Sequence, residues 1–162
     1  MADPREVLKD YIEAVAHVGF VVPDLEAAVV NACRVYGLGD ADIAYVPEAG
    51  EPAATRFAFF SVGGLEFELI EPCSEEFKGL LLGMPSGGAG INHVAWRVSD
   101  IESAVARLAG QGIYPGHVTP EGIVAIGAKK MVYLDPATTQ FLGARSRRRR
   151  ETEQQQRRAQ ER

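Results

Sequence analysis

Two stretches of the chain repeat one order of apolar and polar positions. His-Val-Gly-Phe-Val-Val-Pro-Asp-Leu-Glu-Ala-Ala-Val starts at His17, and His-Val-Ala-Trp-Arg-Val-Ser-Asp-Ile-Glu-Ser-Ala-Val starts at His93, a constant offset of 76 with seven of thirteen positions identical. In each copy a β-rich run, Val15–Val22 or Ile91–Val98, ends at Pro-Asp or Ser-Asp. Asp24 and Asp100 then stand as N-caps of amphipathic helices. Leu25, Ala28, Val29 and Ala32 form one apolar stripe at helical spacing, and Ile101, Ala104, Val105 and Leu108 form the other. Gly37 closes the first helix, and Gly110 or Gly112 the second.

Further strands are expected near Ala41–Val46, Thr55–Val62 and Leu65–Glu71, with Gly63-Gly64 turning the last two into a hairpin. The second copy continues through Ile113–Val118, a glycine-interrupted stretch, Lys129–Leu134 and a closing segment after Asp135-Pro136. The pattern predicts an α+β fold of two tandem βαβββ modules. Its expected parts are an N-terminal helical segment, residues 1–13, whose helix runs from Pro4 to about Ile12 with Asp3 as cap, and a first module with linker helix over 14–83. A second module over 84–144 and a basic, disordered tail over 145–162 complete it.

Alternation along the strands sorts the side chains by face. Val18, Phe20 and Val22 suit packing under a helix, and so do Val94, Trp96 and Val98. His17 and His93 fall on the opposite face at equivalent places, and Glu66, Glu68 and Ile70 of the third strand share that face. Two imidazoles and a carboxylate suit a divalent cation of borderline hardness: Zn, Mn, Co, Ni or Fe. The competing reading is two hydrogen-bonded strand histidines beside a solvated Glu68. Their equivalence within a repeat favours the cation.

Charge divides the chain. Nine basic residues face nineteen acidic ones through Ala144, a net of −10, while Arg145–Arg162 holds eight Arg against three Glu, a net of +5. An acidic body argues against nucleic acid as a partner. The tail reads as a basic arm, as a solvated segment without function, or as a replacement of the native end. Cys33 and Cys73 belong to no CxxC pair, so neither a disulfide framework nor a thiolate site is expected. Neither a secretory signal nor a membrane-spanning run is visible, and a cytoplasmic location is the expectation.

The motifs AHVGFVVPDLEAA, FELIEP, AGINHVAWRVSDIESAVARL and KKMVYLDP resemble the vicinal oxygen chelate superfamily. That group includes glyoxalase I, extradiol dioxygenases, bleomycin-resistance proteins and methylmalonyl-CoA epimerase, and the motifs are most similar to those of the epimerases. The resemblance spans Val15 to Pro136. It implies a cupped, partly open mixed β-barrel with helices outside, and a metal held by His on the first strand and Glu or Gln on the last strand of each module. His17, Glu68 and His93 match three of those places. The fourth lies in Ala-Thr-Thr-Gln-Phe-Leu-Gly-Ala-Arg-Ser, residues 137–146, which contains no carboxylate.

The activity implied is metal-dependent epimerisation or isomerisation next to a carbonyl, on a small-molecule substrate such as an acyl-CoA. Glu51, in the loop before Thr55, is the candidate acid–base carboxylate, and Lys129 and Lys130 are candidates for the substrate's phosphates. A homodimer is expected. The alternatives are a non-haem iron extradiol-type dioxygenase, a glyoxalase-like lyase, or a non-catalytic binding protein of the same fold.

Overall fold

The computed structural model describes residues 8–82, 89–116, 118–126 and 129–139. It divides into two compact units, Glu13–Arg97 in one, and Met1–Ile12 with Val98–Arg162 in the other. The first copy of the repeat forms β1 (Ile12–Val21), α1 (Leu25–Tyr36), β2 (Ala44–Val46), β3 (Thr55–Val62) and β4 (Leu65–Pro72), followed by α2 (Glu75–Leu82). The second supplies β5 (Gly90–Val98), α3 (Ile101–Ala109), β6 (Val124–Ile126), β7 (Lys129–Met131) and α4 (Pro136–Thr139).

Both predicted N-caps do their work. Asp24 accepts from the Ala27 amide at 2.8 Å and Asp100 from the Ser103 amide at 2.9 Å, each satisfying a donor the first helical turn leaves without a partner. Gly37 ends α1 in the left-handed conformation at φ 70°, which a residue with a Cβ would adopt only at a cost. In the second copy the helix ends at Ala109, and the left-handed position is taken by Gly112, at φ 77°.

β1 to β5 form one mixed, open sheet in the order β2-β3-β4-β1-β5. β1 and β4 run parallel, joined through α1 and the β2-β3 excursion, while β2-β3 and β3-β4 are antiparallel. Strand parity holds as expected. Leu25, Val29 and Ala32 of α1 pack with Val22, Ala58, Phe60 and Leu69 into the core, with Phe20 and Phe67 beside them. His17, Glu68, Phe57 and Phe59 lie on the other face by register.

Several expectations change. Of the helical segment expected over residues 1–13, residues 1–7 lie outside the described residues. Leu8–Asp10 is a single 3-10 turn, and β1 already begins at Ile12. Short β-rich pieces here join a neighbouring strand instead of paying helix nucleation. Val94 and Trp96, expected to pack, are 37% and 52% exposed, because β5 is the edge strand of this sheet.

The second copy also departs from four full strands. Among the described residues, 113–118 contribute one bridge, Pro115 to Leu134, and β6 and β7 pair antiparallel over three residue pairs. A proline at the bridge removes a ladder donor, and Gly116 and Gly122 interrupt the alternation. The closing strand expected after Asp135-Pro136 begins instead as the short helix α4, with the Asp135 carboxylate accepting from the Ala137 amide at 2.8 Å. The resemblance's barrel is therefore, in the described residues, an open five-stranded sheet and a separate two-stranded one. Residues 140–162, including the basic tail, lie outside the described residues, as does His117.

Candidate metal centre

The register of β1 against β4 pairs His17 with Glu66 and Gly19 with Glu68, so His17 and Glu68 are diagonal neighbours on one face. β5 lies on the far side of β1, and its His93 reaches back over β1 to the same point. The outcome is a three-donor cluster. His17 Nε2 stands 3.0 Å from His93 Nε2, Glu68 Oε2 lies 3.2 Å from His93 Nε2, and 3.5 Å separates it from His17 Nε2. The rings meet edge to face at 80°. His17 and His93 are partly buried and Glu68 is 6% exposed.

Glu68 is thus no solvated surface carboxylate. Its Oε2 is shut off from water and accepts no hydrogen bond, an arrangement that costs about 1–3 kcal/mol or more for a charged oxygen. The imidazoles approach it at ion-pair distance without hydrogen-bond geometry. The Nε2–Nε2 contact likewise works as a hydrogen bond only if one ring carries its proton there. A divalent cation resolves both problems at once. For ligands about 2.1 Å from an ion, neighbouring donors are about 3.0 Å apart at right angles and about 3.4 Å apart in a tetrahedron. Two edges, 3.0 and 3.2 Å, fall between those values, and the third, 3.5 Å, lies about 0.1 Å beyond the tetrahedral one. The residues fit a cation.

One partner of the cluster went unnoticed in the sequence. Asn92 Oδ1 lies 3.0 Å from His93 Nδ1. A carbonyl oxygen can only accept, so Nδ1 is the donor in this contact, and in the neutral ring that leaves Nε2 as the nitrogen able to ligate beside Glu68 and His17. Its one signal was adjacency to His93, and an asparagine beside a strand histidine is too common to single out.

The remaining candidates are not among the three clustered donors. Glu51 is exposed on the β2-β3 loop, its amide donating to Glu48 O at 3.1 Å. Lys129 and Lys130 are exposed on β7, in the other compact unit, and Lys130 is ion-paired with Glu102. That pairing raises the lysine's pKa and lowers the glutamate's through their mutual hydrogen bond. Beside Glu68, on its own sheet face, lies an apolar shelf. Phe59 pairs with Glu68 and Phe57 with Ile70 across β3-β4, and the two phenyl rings are 6.3 Å apart. An open cavity of about 230 Å³ adjoins it, lined by Phe59, Glu66, Ser61, Ala44 and Asp42.

The sequence from residue 16 to residue 133 matches the family model of the Glyoxalase/Bleomycin resistance protein/Dioxygenase superfamily. The chain belongs to that superfamily. The ethylmalonyl-CoA/methylmalonyl-CoA epimerase of Cereibacter sphaeroides is 32% identical over 124 residues, covering 74% of this chain and 86% of that protein. Two solved structures are similar in fold. The methylmalonyl-CoA epimerase of Mycobacterium tuberculosis superposes with a TM-score of 0.61 at 21% identity, over 85% of this chain and 88% of that one. A Streptomyces coelicolor methylmalonyl-CoA epimerase in complex with 2-nitronate-propionyl-CoA gives 0.61 at 20% identity, over 80% and 91%. At these identities the structural likeness speaks to fold alone. Among the described residues no helix is long and apolar enough to cross a membrane.

Proposed function

We propose that the protein is a divalent-metal-dependent epimerase acting next to a carbonyl, on an acyl-CoA of the methylmalonyl type. The observation that carries the reading is the buried Glu68 Oε2, held without a hydrogen bond between two histidine nitrogens. The 32% identity to an ethylmalonyl-CoA/methylmalonyl-CoA epimerase supports the substrate class. The His17 and His93 repeat supports a tandem origin of the two βαβββ halves.

His17, Glu68 and His93 would hold the ion. Bound there, a divalent cation supplies Lewis-acid stabilisation to the oxyanion that develops on the thioester as its α-proton leaves. The chain's own residues do the rest. Epimerisation removes the α-proton from one face of the carbon and returns one to the other, with no net change of atoms or electrons. Glu51, on the loop preceding β3, is assigned to carry the proton on one face, and with no carboxylate in residues 137–146 the proton on the other face is exchanged with solvent. Phe57 and Phe59, next to Glu68 on the sheet, offer an apolar bed for a short acyl chain. Lys129 is assigned to the phosphates of the CoA moiety, with Lys130 available once its pair with Glu102 opens.

A second reading has one specific support. Residues 137–146 contain no carboxylate where the resemblance implies a fourth ligand, which suits a binding protein that holds a metal or a small molecule without turning it over. Purified protein analysed for bound Co, Zn, Mn, Ni and Fe, then assayed for α-proton exchange of methylmalonyl-CoA in deuterated water, separates the two. Metal with exchange supports the epimerase. Metal without exchange on any acyl-CoA supports the binder, and a chain that takes up no metal removes the epimerase reading.

A further inference from the structure

We propose that Gly19 is a positioning residue of the cation site, the gap through which the His93 imidazole crosses β1 to reach Glu68. The inference rests on the cation reading of the cluster and adds a residue to it.

The topology creates the problem that Gly19 solves. Glu68 is on β4 and His93 on β5, with β1 between them, so the two backbones stand two strand spacings apart, about 9–10 Å. An imidazole can bridge that span only by lying flat across the middle strand. Gly19 is the β1 residue registered with Glu68, and it lies on the site face with His17. A Cβ placed on Gly19 would meet three atoms of the His93 ring: Cε1 at 2.3 Å, Nδ1 at 2.7 Å and Nε2 at 2.8 Å. Every one is well inside van der Waals contact, and the ring, pinned by Asn92 at Nδ1, is not a flexible chain end.

The backbone gives no competing reason for a glycine. Gly19 is an interior strand residue and is absent from the glycines of positive φ, which are Gly37, Gly50, Gly63, Gly64, Gly90, Gly112 and Gly122 among the described residues. Glycine inside a strand ordinarily weakens it. The repeat provides an internal comparison, because the position 76 residues later is Ala95, in the same local pattern two residues after His93. The strand motif itself therefore accepts a methyl group. What sets Gly19 apart is the other copy's histidine ring lying over it.

The test is a double-mutant cycle read by Co²⁺ titration, by the visible absorption of bound Co²⁺, and by melting temperature in metal-free buffer. Gly19→Ala is expected to weaken Co²⁺ binding at least about tenfold, as loss of a supporting group does, to change the Co²⁺ spectrum, and to lower the melting temperature. In a His93→Ala background, where the ring is gone, the same substitution is expected to change neither affinity nor melting temperature. Should Gly19→Ala fail to fold, a folded Gly19→Ala/His93→Ala double variant supports the proposal, and an unfolded one overturns it. Wild-type Co²⁺ affinity in Gly19→Ala, or an equal loss in both backgrounds, also overturns it while leaving the cation site standing. Wild-type affinity in His93→Ala alone removes the cation reading, and this proposal with it.

Discussion

His93 Nε2 stands 3.2 Å from Glu68 Oε2 although an entire strand separates the strands that carry them. A side-chain contact that spans three strands of a sheet needs a reason, and His17 on the intervening strand supplies one by meeting both at the same point. Removal of any member should be felt as metal affinity. Glu68→Ala is expected to weaken Zn²⁺ or Co²⁺ binding at least about tenfold, and His17→Ala or His93→Ala more. Titration calorimetry on the three variants checks it, and unchanged affinity in all three would remove the site.

The same geometry makes stability depend on the ion in opposite directions. Without a cation, Glu68 Oε2 is a buried acceptor without a hydrogen bond, so Glu68→Gln should cost little or even raise the melting temperature of metal-free protein. With ion at about 100 times its dissociation constant, the wild type should gain about 2.7 kcal/mol and the variant much less. The two melting curves should therefore change order, or at least draw sharply apart, on adding Zn²⁺. Parallel shifts in wild type and variant would show that the ion binds elsewhere.

Glu51 separates chemistry from binding. As a proton carrier on an exposed loop, its replacement by Gln should lower the rate of α-proton exchange by about 100-fold or more. It should leave Co²⁺ affinity and melting temperature near wild type, because the residue is exposed and its one backbone contact survives. A fall in metal affinity would place Glu51 among the ligands instead, and an unchanged rate would assign the proton transfer to another residue.

Most of the first module is legible in the sequence because local and tertiary signals agree there. Asp24, the Leu25–Ala32 stripe and Gly37 each specify the same helix, and Gly63-Gly64 specifies the hairpin that brings Glu68 to the histidine face. His17 and His93 were readable through their place in a repeat, a signal that no single histidine carries. The second module was less legible for a physical reason. Its strands after α3 are broken by Pro115, Gly116 and Gly122, and alternation over so few residues does not distinguish a ladder from a bridge. The N-terminal piece failed similarly, since residues 8–12 are too few to show whether a helix or a strand will recruit them. Gly19 escaped notice because its role depends on a ring that comes from 74 positions later, across a strand order that the pattern did not determine.

A final prediction concerns how α1 is held over the sheet that carries the site. Arg56 of β3 donates from Nη1 to Glu71 Oε2 of β4 at 3.1 Å, and its Nη2 is bonded to Glu26 in the first turn of α1. The guanidinium holds the Glu26 carboxyl below its ordinary pKa of 4.5, chiefly through that hydrogen bond. A carboxylate whose pKa is depressed by folding adds stability above its unfolded value, and the contribution is lost as pH falls through the folded value. Glu26→Gln should therefore be less stable than wild type at pH 7, and the gap should narrow as the pH drops below about 4.5. Glu26 is largely exposed, so screening keeps that gap below about 1 kcal/mol, and 1 M salt should shrink it further. Arg56→Ala should cost more at pH 7, because it also removes the charged partner of the partly buried Glu71, leaving that oxygen only the Cys73 thiol. Urea midpoints for the three proteins at pH 7 and pH 3, each at low and high salt, give the comparison. A Glu26→Gln deficit that stays the same at pH 3 would show that the helix is held by the α1 core contacts and that this ion pair contributes nothing.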